Sequence, residues 1–231
     1  MEGLQAFLLG GLAQSSLLLA GLAVYWWRFS ARVIGSLAGF GAGALVAAVA
    51  FTLIPESSDL SAPETSLWLL AGALVFLVSD RFVESRFGGD EGGSPLGIVV
   101  GSVVDGVPES LIFGIQIATG QAISASFLAA VWVSNIPQAL APSASLAESG
   151  WKKARTVGMW GMVVLACGLT ATVGYWLGVA LGATGGRAAA LAAGGLLAML
   201  TDSLMPYAFK KGGVWAGVFT VLGFAASLAG S

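Results

Sequence analysis

Apolar residues in this chain come in unbroken runs of about 20 rather than at the three-and-four spacing of a soluble amphipathic helix. Eight runs stand out: Gly3–Trp27, Val33–Pro55, Ser66–Ser79, Pro95–Thr119, Ala122–Ala147, Val157–Leu181, Ala188–Phe209 and Val214–Gly230. Runs of this length match the hydrocarbon core of a bilayer. The third is the shortest, because its apolar stretch stops at Asp80–Arg81, and its helix is expected to continue to about Phe87 with the charged end among headgroups. Connections are short, and the longest polar stretch, Asp80–Ser94 with its GGDEGG, reads as a flexible loop. The pattern predicts an all-α integral membrane protein: one transmembrane domain over residues 1–231 with eight helices, and no soluble domain, linker or targeting tail. The first run lacks the basic leader of a cleavable signal peptide.

Charge sets the orientation. Arg28, Arg32, Arg81, Arg86, Lys152, Lys153, Arg155, Lys210 and Lys211 fall between alternate spans, all on one side, with Arg187 alone opposite. The positive-inside rule places those loops in the cytoplasm and both termini outside. Composition agrees: only 10% of residues are charged, mean hydropathy is +0.88, and there are 34 glycines. A net charge of −2 without a basic run argues against nucleic-acid binding. One cysteine and no histidine remove disulfides, imidazole metal sites and Ser–His–Asp chemistry, so no enzyme activity is expected.

Two pairs of segments repeat. VVDGVPES (Val103–Ser110) parallels WVSNIPQA (Trp132–Ala139), and GALVAAVAFTLIPES (Gly43–Ser57) parallels GGLLAMLTDSLMPYA (Gly194–Ala208), each of the latter two with proline twelve residues after a glycine. Spans two and seven run in opposite senses, as do four and five, which points to an inverted-repeat transporter architecture (3+2+3). Each proline removes an N–H and crowds the carbonyl four residues back, at Val104, Val133, Phe51 and Asp202. In hydrocarbon such carbonyls need protein, water or an ion.

Nine of the twelve acids lie in loops or at span ends; Asp105, Glu109 and Asp202 lie inside spans, with no Lys or Arg in mid-span to balance them. A carboxylate at that depth is either protonated or neutralised by a cation from outside the chain. Asp105 and Glu109 are one turn apart on one helix face, and Ser102, Ser110 and Gln116 extend the polar stripe or flank it. Span five offers Ser134, Asn135, Gln138 and Ser145, and span seven offers Thr201 and Ser203 around Asp202. Cys167 is a softer candidate ligand whose ordinary reading is a small packing residue. The stripes Gly35/Gly39/Gly43 and Gly174/Gly178 permit close helix contact.

DGVPES followed by SNIPQA resembles the ZIP family of divalent-metal transporters, whose fourth span carries His-Asn-x-Pro-Glu-Gly and whose fifth carries a related Pro-Glu or Pro-His element around a central, often binuclear, metal site. The resemblance implies that Asp105 takes the His position, Gly106 the Asn and Glu109 the Glu. It further implies Ser134, Asn135 and Gln138 as span-five ligands, Glu56 of LIPES near the outer mouth, and a homodimer. The metal-ligand set expected is thus Asp105, Glu109, Asn135, Gln138, Asp202, Ser134 and Glu56. With all histidines replaced, these oxygen donors suit Mn²⁺, Fe²⁺ or Mg²⁺, and also admit Zn²⁺, as cargo. The expected function is divalent-cation transport across the lipid bilayer. The alternatives are a scaffold that no longer moves metal and a proton- or sodium-coupled carrier of a small solute.

Overall fold

The computed structural model describes residues 1–87, 95–121, 123–180 and 185–230. Among these every regular element is helical. In order they are α1 (Glu2–Ala23), α2 (Ala31–Ala48), a π-helical turn (Val49–Leu53), α3 (Ile54–Glu56), α4 (Ala62–Phe87), α5 (Pro95–Ala118), α6 (Ala125–Glu148), α7 (Lys153–Ala180), α8 (Gly186–Met199), a second π-turn (Leu200–Leu204), α9 (Met205–Gly212) and α10 (Val214–Ala229). Six stretches are long and apolar enough to cross a membrane: Glu2–Ala23, Ala31–Glu56, Ala62–Arg86, Gly97–Ala118, Lys153–Ala180 and Gly186–Gly212. These fit an integral membrane protein. The other two expected spans fall short for different reasons. α6 has 24 residues but carries Ser134, Asn135, Gln138 and two prolines, whereas Val214–Ala229 is apolar but only 16 residues long. The helix of the third expected span begins at Ala62, before Ser66, and reaches Phe87. Asp80–Phe87 is therefore helix and not loop, and residues 88–94 lie outside the described residues.

Glycine decides which helices touch. A Cβ at Gly43 would meet the Thr220 carbonyl, one at Gly39 the Ala216 carbonyl, and one at Gly35 the Gly212 backbone, so α2 and α10 lie side by side in parallel. Gly72 and Gly194 bring α4 and α8 together in the same manner, through Leu191 and Leu69. Gly114 and Gly174 join α5 to α7. The sequence's glycine stripes therefore face helices of the same chain. α1 runs antiparallel to α7, with Gly10 on Ala171 and Gly21 on Trp160, and parallel to α6. In the interior, Trp160 is fully buried and its indole N–H donates to Ser143 Oγ at 2.8 Å, so burying it orphans no donor.

The prolines within the spans do not break their helices alike. α5 passes through Pro108, and α6 through Pro137 and Pro142, without interruption. Pro55 and Pro206 each follow a π-turn, in which the residue before the proline donates across five positions: Ile54 N–H to the Val49 carbonyl, Met205 N–H to the Leu200 carbonyl. The widened turn keeps the backbone bonded where a proline removes a donor, and π-turns gather at functional sites.

Candidate functional site

α5 carries the polar stripe. Asp105, Glu109 and Gln116 share one face, and the three lie over about 17 Å of helix axis. Glu109 sits at the middle with only 1% of its surface exposed. Its carboxylate Oε2 accepts from Gln14 Nε2 of α1 at 2.9 Å, and Gln14 Oε1 in turn accepts from Asn135 Nδ2 of α6 at 2.8 Å. One amide thus bridges a carboxylate and a second amide from three different helices. Gln14 and Asn135 are as buried as Glu109. The second carboxylate oxygen, Glu109 Oε1, is buried with no hydrogen-bond partner among the described residues. Ser110 Oγ and Gln116 Oε1, on the same helix, are also unpartnered. A buried acceptor without a donor is costly, and a carboxylate oxygen in that state is suited to a proton or a cation.

Gly106 lets this centre form. A Cβ there would stand 2.6 Å from Cys167 Sγ on α7 and 3.4 Å from Gln14 Nε2. A side chain at position 106 would force the Cys167 side chain to shift, and its Cβ would already be in van der Waals contact with the amide that holds Glu109. Cys167 itself is fully buried and fills this contact.

The other expected ligands are distributed along the same path. Asp105 is half-buried one turn from Glu109, and the charges acting on it are Asp80 of α4 and Asp202 of the second π-turn. Asp80 lies within hydrogen-bonding reach of Asp202. Arg81 pairs with Asp202 at 3.3 Å and with Glu84 at 3.0 Å. The expectation that no cation of the chain balances the in-span acids is therefore corrected: the long Arg81 side chain, from the last third of α4, reaches Asp202. In the opposite direction along α5, Glu56 Oε1 accepts from Gln116 Nε2 at 2.8 Å, about 10 Å of helix beyond Glu109. Between these two levels the fully buried Phe113 lies against Phe127, ring centroids 5.0 Å apart. Ser134 is buried beside Gly41, and its hydroxyl donates to the Val131 carbonyl at 2.8 Å. Gln138 is half-buried one turn past Asn135.

The structure thus links Glu109 to Asn135 through Gln14, brings the charges of Asp80 and Asp202 to bear on Asp105, and leaves Glu56 at a separate level. Among the described residues no group of three or more His, Cys, Asp or Glu side chains is arranged to hold a metal ion. No family model and no curated protein matches the chain. The site must therefore be read from its own chemistry. Three partners were not foreseen: Gln14, Asp80 and Arg81. Gln14 had one visible signal: of the two glutamines in the first span, Gln5 lies near its start and Gln14 lies near its middle.

Proposed function

We propose that the protein is a ZIP-like transporter that passes a divalent cation across a membrane, with Glu109 as the central ligand. The observation that carries this reading is the orphaned oxygen Glu109 Oε1, buried among side chains of three helices and one turn from Asp105. A cation arriving there would gain the Glu109 carboxylate, and rotation of the Gln14 and Asn135 amides would supply neutral oxygens. Such hard donors suit Mn²⁺, Fe²⁺ or Mg²⁺ and tolerate Zn²⁺. Asp105, Asp80 and Asp202 form an acidic approach on one side, with Arg81 as a partial counter-ion. Glu56 and Gln116 form the approach on the other, with the Phe113–Phe127 pair between it and the centre.

We read the topology as eight passes, α6 and α10 included, with both termini outside. The helix directions support alternation: α4 and α8 run parallel, as do α2 and α10, and α5 and α7. The matched π-turns before Pro55 and Pro206, each after a glycine packed on a neighbouring carbonyl, support the inverted repeat. Transport would then rock one helix group against the other around a fixed centre. The host would be a bacterial cytoplasmic membrane, and a homodimer is part of the family likeness.

A solute carrier coupled to protons or sodium is the second reading. It is favoured by the amide clasp on Glu109 and by the lack, among the described residues, of three clustered metal-binding side chains. Proteoliposome uptake of Mn²⁺, Fe²⁺, Zn²⁺ and Mg²⁺, with Glu109→Ala alongside, separates the two. Divalent uptake that is lost in the variant supports the proposal. Equal uptake by both proteins for every ion overturns it.

A further inference from the structure

Two tight helix pairs meet loosely on one flank of the molecule. α4 and α8 approach through Gly72 and Gly194, and α5 and α7 through Gly114 and Gly174, but across the seam between the pairs the ring of Pro108 meets Gly195. Two cavities open along that seam. One of about 160 Å³ is apolar, walled by residues such as Val75, Val107, Pro108 and Leu191. The other, of about 520 Å³, runs from Leu111 and Leu191 to Asp59, Glu64 and Arg187 at the α3–α4 end. They share the lining residues Leu111, Leu191 and Ala192, so the two cavities adjoin and together make up one cleft.

We infer that this cleft is a binding site for one zwitterionic phospholipid, its acyl chain lying in the seam and its headgroup at Arg187 and Asp59. Length argues for it. From Ile115 to Val104, α5 lines the cleft for about 17 Å, against about 15 Å for one leaflet of hydrocarbon. Polarity argues for it as well, since the charged residues lie only at one end and the walls at membrane depth are apolar. Charge selects the headgroup. Arg187 is 63% exposed and pairs with Glu64 at 3.0 Å, with Asp59 lining the same cleft. A cation beside carboxylates complements a phosphate joined to an ammonium better than it complements a purely anionic headgroup. The chain fills space that neither pair of helices closes, and it lies against Pro108, next to Glu109 on α5. The inference rests on the protein being embedded in a bilayer and is independent of which cargo, if any, it carries.

The test uses the full chain reconstituted in vesicles of phosphatidylglycerol and phosphatidylethanolamine, with a diazirine on the acyl chain of one lipid and, in a parallel sample, of the other. Peptide mapping after illumination should place label on the cleft walls, Val107, Leu111 and Leu191. Val107→Trp, which fills the seam, should abolish that label, and Val75→Trp at its rim serves if the first variant does not fold. Arg187→Ala should remove the preference for ethanolamine over glycerol headgroups while leaving chain labelling in place. Label spread evenly over the outward faces of α7 and α10, or unchanged in a folded filling variant, would overturn the site. Stronger labelling by the anionic lipid would overturn the headgroup assignment.

Discussion

Gln14→Leu tests the amide bridge directly. The substitution removes one hydrogen bond to Glu109 and one from Asn135, at 2.9 and 2.8 Å, and leaves both partners buried. In water-soluble proteins, orphaning two buried polar groups costs about 1–3 kcal/mol each. Within membranes the same bonds average about 0.6 kcal/mol and reach about 1.7, because the unfolded helices also find partners in lipid. The second scale governs here, since α1 remains in the bilayer when it separates from α5 and α6. Glu109 already has one unpartnered oxygen, so it gains no substitute donor, and the expected loss lies near the upper end, about 2–3 kcal/mol for the two bonds together. Unfolding in mixed micelles, followed by tryptophan fluorescence, measures it. A double-mutant cycle with Asn135→Leu should return a coupling above about 0.5 kcal/mol, beyond the scatter of independent sites. Full additivity, or an unchanged stability of Gln14→Leu, would mean that the bridge does not hold α1 to α6.

Three further outcomes follow from particular contacts. Gly106→Ala should destabilise the protein by about 1–3 kcal/mol through overpacking against Cys167 Sγ, and adding Cys167→Ala should restore most of the loss; thermal unfolding without such rescue would contradict the contact. Arg81→Ala should change stability by less than about 1 kcal/mol, because the pair with Asp202 is partly exposed. The same variant should lower the concentration of divalent cation needed for half-maximal uptake at low salt, since Asp80, Asp105 and Asp202 lose their counter-ion; an unchanged half-maximum would remove the acidic approach from the account. Gly72→Val should prevent α4 from docking on α8, as its side chain would strike the Leu191 carbonyl, and it should cost more than the same change at Gly101, whose Cβ would meet nothing within 4 Å; equal yields of folded protein from both would argue against the close packing.

The positions of the helices were legible because lipid imposes a length and an apolar character on each. The pairing of helices was not. The glycine stripe at 35, 39 and 43 announces a close contact, but only the fold shows that α10 fills it. The repeated Gly-to-Pro spacing marked two special stretches, and both became π-turns; the expectation of four comparable breaks failed because Pro108 and Pro137 lie in continuous helix. Asp105, Glu109 and Asn135 stood out as polar residues with a spacing. Gln14 has no spacing to betray it, since its partners come from helices over 90 residues away. Arg81 was hidden by its place just past the apolar run, where a long side chain can point to either water or protein.

The central claim is that Glu109 balances a cation that comes from outside the chain. An experimental structure of the protein soaked in Mn²⁺, with anomalous scattering recorded at the manganese edge, tests it most directly. The account predicts one peak at the middle of α5, within about 2.0–2.6 Å of Glu109 Oε1, with the Gln14 amide turned out of its present bridge. Peaks confined to Glu56, or to the Asp80–Asp202 pair, with the Gln14–Glu109 bond intact would contradict it.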